Sequence, residues 1–193
     1  RKIVISTGAV TTLAGSAGSS GSTDGTGISA RFKKPKGITT DGTNLYVSDT
    51  DNHLIRKIVI STGEVSTLAG SSIGFLDHTT GTSAKFKYPR EITIDGTNLY
   101  VVDRGNHRIR KIVLSTGVVT TFAGTSPGFA DATGTAAKFK YPMGITNDGT
   151  NLYVVDSNNQ RIRKIVISTG VVTTIAGSSS QGSTDGKGTA AKF

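Results

Sequence analysis

The sequence predicts an all-β protein made of repeated four-stranded antiparallel sheets. Three observations carry that expectation. Long phrases recur at a near-constant spacing. Each repeat breaks into four short apolar runs separated by turn residues. No segment keeps a sustained helical period.

The recurrence sets the frame. Asp-Gly-Thr-Asn-Leu-Tyr-Val occurs at Asp41–Val47, Asp95–Val101 and Asp148–Val154. Arg-Lys-Ile-Val starts at Arg1, Arg56, Arg110 and Arg163, so successive copies lie 55, 54 and 53 residues apart. Ser-Thr-Gly follows each copy, and an Ala-Gly pair closes each run at Gly15, Gly70, Gly124 and Gly177.

The third unit shows the elements in order. A first run spans Gly144–Asn147, and Asp148-Gly149-Thr150-Asn151 is a turn. A second run covers Leu152–Asp156 and a third Arg161–Ile167. Ser168-Thr169-Gly170 then leads into a fourth, Val171–Ala176. Links this short join antiparallel neighbours, so each unit is a meander. Leu152, Tyr153, Val154 and Val155 are apolar on both faces, and Ile162 and Val166 oppose Ile165 and Ile167. A small sheet buried on both faces, with no helices to cover it, must pack against copies of itself. Twisted sheets stacked in a row fan around an axis, which describes a β-propeller. The chain holds about three and a half blades: an outer half-blade over 1–15, blades over 35–70, 89–124 and 142–177, and an inter-blade loop over 178–193. That count is expected of a partial propeller, or of one completed by assembly. A segment of a larger propeller or array is favoured, because a two-chain ring would lack the same inner strand pair twice.

Composition narrows the chemistry. The 193 residues include 25 Gly, which without a Gly-X-Y period implies many tight turns. There is no Cys, which excludes a disulfide scaffold, thiolate metal sites and a Cys nucleophile. No apolar stretch approaches about 18 residues, so no membrane span is expected. No signal peptide is recognisable at the start. Because Arg1 is not an initiator Met, a processed or partial chain is expected. The net charge of +9 permits attraction to nucleic acid, anionic glycans or acidic surfaces without choosing among them.

Asp51-Asn52-His53-Leu54-Ile55-Arg56-Lys57, Gly105-Asn106-His107-Arg108-Ile109-Arg110-Lys111 and Asn158-Asn159-Gln160-Arg161-Ile162-Arg163-Lys164 resemble the Asn-His-Leu motif of NHL repeats. The rest of each unit is similar too: Phe-Lys-x-Pro, Gly-Ile-Thr, Leu-Tyr-Val-x-Asp and Gly-x-Val-x-Thr-x-Ala-Gly. The resemblance covers essentially the whole chain and implies an NHL-type propeller. Gln160 departs from His, and Arg90-Glu91 departs from the Lys-Gly and Met-Gly of the sister units. In this family the loop face and axial channel are the usual binding region.

Three sets of residues are candidates. Asp49, Asp103 and Asp156, with Asn52, Asn106 and Asn159, either hold tight turns through backbone N–H groups or form an oxygen-rich ring for a polar ligand. His53 and His107 either pack in their turns or, by resemblance to zinc-binding lyases of this fold, contribute to a metal site. With only three His in the chain and Gln160 at the third motif position, a zinc centre is not expected, and no cofactor is expected. Arg56, Arg110 and Arg163 either pack blade to blade or snorkel outward, with Lys57, Lys111 and Lys164 opposite. The links Lys33-Lys34-Pro35-Lys36, Lys87-Tyr88-Pro89-Arg90 and Lys140-Tyr141-Pro142 interleave cations with Tyr. That pattern suits RNA bases and phosphates as well as a solvated turn.

The expected function is a non-catalytic binding or scaffold module that engages a protein or glycan, at an extracellular location or cell surface. A cytoplasmic location is the alternative. Self-association through open blade edges is a further expectation. Single-stranded RNA binding is the second reading, and a metal-dependent lyase or hydrolase the third.

Overall fold

The computed structural model describes residues 1–193. It contains no α-helix, only strands and single 3-10 turns. A two-stranded sheet comes first, β1 (Lys2–Ile3) with β2 (Val10–Thr11). After the short strand β3 (Gly25–Thr26) comes blade one: β4 (Pro35–Thr40), β5 (Asn44–Asp49), β6 (Leu54–Val59) and β7 (Glu64–Ala69). Blade two is β8 (Pro89–Ile94), β9 (Asn98–Asp103), β10 (Arg108–Val113) and β11 (Val119–Ala123). Blade three is β12 (Ile145–Asn147), β13 (Asn151–Asp156), β14 (Arg161–Val166) and β15 (Val172–Ala176). All ladders are antiparallel between consecutive strands, with one addition: β3 pairs along the outer edge of β7. A blade-one sheet of five strands thus differs from the four expected, because the linker before the blade returns to its outer edge.

Each turn has a physical cause. Between the first two strands Asp41 Oδ1 accepts the N–H groups of Thr43 and Asn44 at 2.9 and 2.6 Å, and the Tyr46 hydroxyl donates to Oδ2 at 2.8 Å. The equivalent Asp95 would be raised by burial. The Thr97 and Asn98 N–H groups, the Asn98 amide and the Tyr100 hydroxyl outweigh that and bring it down to about 2. Between the second and third strands a 3-10 turn ends on a left-handed residue: His53, His107 or Gln160, with φ of 61°, 59° and 52°.

Between the third and fourth strands the register slips by one residue at Arg56, Arg110 and Arg163, leaving Leu68, Phe122 or Ile175 as the extra residue. A bulge of this kind bends the strand and re-aims neighbouring side chains. After the slip the chain turns at Gly70, Gly124 or Gly177. A Cβ on Gly70 (φ +100°) would lie 2.5 Å from the His53 carbonyl oxygen, so only glycine fits there.

The blades pack face to face as the two-sided apolar pattern requires. Between blades one and two, Tyr46, Ile55 and Ala69 meet Leu99, Val101, Ile112 and Val119, with Phe86 of the linker wedged between them. Phe139 fills the same place between blades two and three. The innermost strands β4, β8 and β12 run side by side. At Gly37 the approach is so close that a Cβ would stand 2.5 Å from the Arg90 carbonyl oxygen.

Candidate functional site

The strand-end carboxylates lie inside the blades. Asp103 is fully buried; its Oδ1 accepts the Lys87 N–H at 2.8 Å, and its Oδ2 accepts from Asn106 Nδ2 at 2.8 Å and Arg110 Nη1 at 2.9 Å. Asp49 repeats this with Lys33, Asn52 and Arg56, and Asp156 with Lys140, Asn159 and Arg163. Burial pushes the Asp103 carboxyl up from its ordinary range, and the Arg110 charge beside it pulls it back.

Each Arg in turn ties the linker to the blade. Arg110 Nη1 donates to the Lys85 carbonyl at 3.0 Å, and Nη2 donates to the Leu76 carbonyl at 2.9 Å and to Asp77 Oδ1 at 2.6 Å. Its guanidinium lies 4.9 Å from the Phe86 ring centre and 5.0 Å from that of Phe75. Asp77 Oδ2 accepts the N–H and hydroxyl of Thr121 on β11. The Asn side chains donate to linker carbonyls as well, those of Gly21, Gly74 and Gly128.

These contacts revise the first and third expectations. Both carboxylate oxygens of Asp49, Asp103 and Asp156 accept hydrogen bonds within the fold, and the Nδ2 groups of Asn52, Asn106 and Asn159 are spent on those carboxylates and on the linkers, so the carboxylates do not form an open ring for a ligand. Arg56, Arg110 and Arg163 are fully enclosed and do not snorkel outward.

His53 and His107 couple neighbouring blades. The Nδ1 of His53 accepts the Tyr88 N–H at 3.2 Å, and that of His107 accepts the Tyr141 N–H at 3.0 Å. Each ring meets its Tyr edge to face, at 4.8 and 4.4 Å between centres. Accepting at Nδ1 places the neutral ring's proton on Nε2. His78 sits in a linker, where its Nδ1 accepts the Thr80 N–H at 2.9 Å. The three His are therefore spread over three turns, each with Nδ1 in use, and do not converge on a metal centre.

Burial holds the imidazoles of His53 and His107 below their ordinary value of 6.5. For a depressed His, the unfolded chain binds protons more readily, so the contribution to stability is full above pH 6.5 and fades as pH falls below it. Thermal unfolding at pH 8 and pH 5.5 should show that loss, and His53→Gln/His107→Gln, copying Gln160, should flatten it.

The exposed chemistry lies on the same face. Lys34, Tyr88 and Tyr141 each precede a Pro and adopt left-handed φ of 48°, 52° and 49°. Such a conformation costs about 1–2 kcal/mol in a non-glycine residue, so the surrounding bonds hold these side chains where they stand. A groove of about 310 Å³ between blades one and two is lined by Lys34, Lys36, Asp51, Tyr88, Arg90 and Arg104. Lys34 Nζ pairs with Asp51 at 3.0 Å and holds that carboxyl below its ordinary range. The Nε atoms of Arg90 and Arg104 are enclosed without a hydrogen-bond partner. Arg104 also lies 4.9 Å from the Tyr141 ring centre, extending the surface toward blade three. Lys87, Tyr88, Lys140 and Tyr141 are exposed beside it.

Arg104 was not among the sequence candidates, because its position holds Thr50 and Ser157 in the sister turns. The linker carboxylates Asp24, Asp77 and Asp131 were not sequence candidates either. Their signal was present: each precedes its Arg by 32 or 33 residues.

No family model matches the chain. It is 29% identical over 174 residues to Protein SUPPRESSOR OF QUENCHING 1, chloroplastic, of Arabidopsis thaliana, covering 84% of this chain and 16% of that protein. It is 36% identical over 107 residues to NHL repeat-containing protein 2 of Homo sapiens, covering 52% of this chain and 14% of that one. The chain thus spans about a sixth or less of these relatives. Among solved structures it is similar to an auxiliary nutrient binding protein from Bacteroides ovatus, with a TM-score of 0.64, 20% identity, and coverage of 85% of this chain and 42% of that one. A chain of the nidogen/laminin complex matches with a TM-score of 0.56, 17% identity, and coverage of 76% and 49%. Stacked four-stranded meanders fanned about their inner strands make this chain a run of β-propeller blades. Its repeats are similar to those of NHL repeat-containing protein 2.

Proposed function

We propose that this chain is a non-catalytic binding module, a propeller segment that takes up an anionic protein segment or glycan on its loop face. The observation that carries this reading is the groove between blades one and two. There Arg90 and Arg104 line the groove beside Tyr88 with no carboxylate paired to either guanidinium, while the strand-end Asp carboxylates and the His Nδ1 atoms are engaged inside the fold. Unpaired guanidinium groups next to an aromatic ring suit carboxylate or sulfate groups, which Arg meets in bidentate fashion. Binding residues held on turns of a rigid scaffold are the usual arrangement. Lys36, Lys87, Arg90, Lys140, Tyr88 and Tyr141 form the proposed contact surface together with Arg104. A binding role agrees with the name of the auxiliary nutrient binding protein that shares this fold. Placement outside the cell or at its surface is part of the same proposal.

The test is titration with three labelled probes: an acidic peptide, a sulfated oligosaccharide and single-stranded RNA. The first or second should bind. Arg90→Ala/Arg104→Ala should weaken it about tenfold, two half-exposed charge contacts together amounting to about 1–2 kcal/mol. The RNA arm covers the second reading, which the Lys-Tyr interleaving favours. Preference for RNA, with a steep salt dependence, would replace the first reading by the second. Binding to none of the three would remove both.

A further inference from the structure

The turns that follow the three second strands share one backbone and differ in charge. In each 3-10 turn the second residue donates its N–H to the carbonyl of a linker Lys: Asp51 to Lys33 at 3.1 Å, Gly105 to Lys87 at 2.8 Å and Asn158 to Lys140 at 3.1 Å. Blade one reads Thr50-Asp51-Asn52-His53-Leu54, and blade three reads Ser157-Asn158-Asn159-Gln160-Arg161. Blade two reads Arg104-Gly105-Asn106-His107-Arg108, with an Arg at each end and no side chain at the position of Asp51. A Cβ on Gly105 would stand 2.6 Å from Lys87 Cγ, so the glycine lets the Lys87 stem lie across the turn.

Three cations therefore gather at one turn. After burial itself, Lys87, Arg104 and Arg108 are the charges that hold the His107 imidazole below its ordinary value. The two guanidinium groups are placed by aromatic rings instead of carboxylates. Arg104 lies 4.9 Å from the Tyr141 ring centre, and Arg108 lies 3.7 Å from that of Phe75. The nearby carboxylates are already taken: Asp51 by Lys34, Asp77 and Asp103 by Arg110, and Asp156 by Arg163. Lys87 is exposed and both Arg are half-buried. The Nε atoms of Arg104 and Arg108 are enclosed, which leaves their Nη groups and Lys87 Nζ as the donors a ligand meets.

Cations packed together without a counter-charge suit an anion, and the donors decide its shape. A carboxylate offers two oxygens in one plane, which match a single guanidinium fork. Donors on three separate stems around a turn need oxygens in three directions. A phosphomonoester has three terminal oxygens and carries about 1.5–2 negative charges at neutral pH. We propose that the blade-two turn is a phosphomonoester subsite, in which the Nη groups of Arg104 and Arg108 and Lys87 Nζ meet the terminal oxygens. The subsite rests on the loop-face reading and names the group which that face recognises.

The test is titration of the 193-residue chain with one acidic peptide in three forms, bearing serine, glutamate or phosphoserine at its centre, and with a hexose monophosphate. The phosphoserine form should bind at least about tenfold more tightly than the glutamate form. Arg104→Thr/Arg108→Leu installs the blade-one residues, with which the same turn already folds, and circular dichroism should be unchanged. In that variant phosphoserine binding should fall to the level of glutamate. Binding of the hexose monophosphate in place of the phosphopeptide, lost in the same variant, would assign the group to a sugar and keep the subsite. Equal affinity for the glutamate and phosphoserine forms, or a preference untouched by the double variant, would overturn the subsite and leave the loop-face reading standing. Binding of none of the four would overturn the subsite, and the sulfated oligosaccharide would then decide the loop-face reading.

Discussion

Arg110→Ala is expected to lower stability by about 3–5 kcal/mol, the cost of leaving a buried charge without its partner. The charge is that of Asp103, which is fully buried and keeps only the Lys87 N–H and Asn106 once the guanidinium is gone. The same change frees the Lys85 and Leu76 carbonyls of the linker and removes the cation held between Phe86 and Phe75. Urea unfolding at pH 7 reads the loss. Asp77→Ala is the internal control. Its side chain is 39% exposed, so water replaces it and the cost falls to about 1 kcal/mol. Equal effects from the two variants would mean that the buried end of the ion-pair chain carries no more than the exposed end.

Phe86→Ala should cost about as much, 3–5 kcal/mol, by the cavity it leaves. Phe86 has no exposed surface and lies in the core shared by blades one and two. Phe75 is 43% exposed and caps Arg108 at 3.7 Å, and Phe75→Ala should cost about 1 kcal/mol or less. Phe86 and Arg110 touch, so the double variant should lose less than the two single losses together. Strict additivity would show that the linker wedge and the ion-pair chain hold the blades independently.

The blades were legible in the sequence because their causes are local. Asp41-Gly42-Thr43-Asn44 makes its turn from its own side chain and backbone. Leu152-Tyr153-Val154-Val155 announces burial on both faces by composition alone. The roles of the polar residues were less legible because burial is decided by distant segments. Arg110 reads as a strand cation with a free end until the linker folds back, bringing Asp77 and Phe86 over it. Asp103 reads as an open turn carboxylate until Arg110, at the bulge, is aimed back along the sheet. The repetition that gave the blades away also concealed Arg104, whose value lies in differing from Thr50 and Ser157.

The polar residues of each unit divide in two: a largely buried Asp-Asn-Arg-His set that holds linkers to blades, and a solvent-facing Arg-Lys-Tyr set proposed to meet a ligand. The most direct test is titration of the anionic probe that binds best against wild type and Arg90→Ala/Arg104→Ala, with the unfolding midpoint measured on the same samples. Binding should be about tenfold weaker in the variant at an unchanged midpoint. Unchanged binding with a lowered midpoint would contradict it, placing the groove cations among the groups that hold the fold.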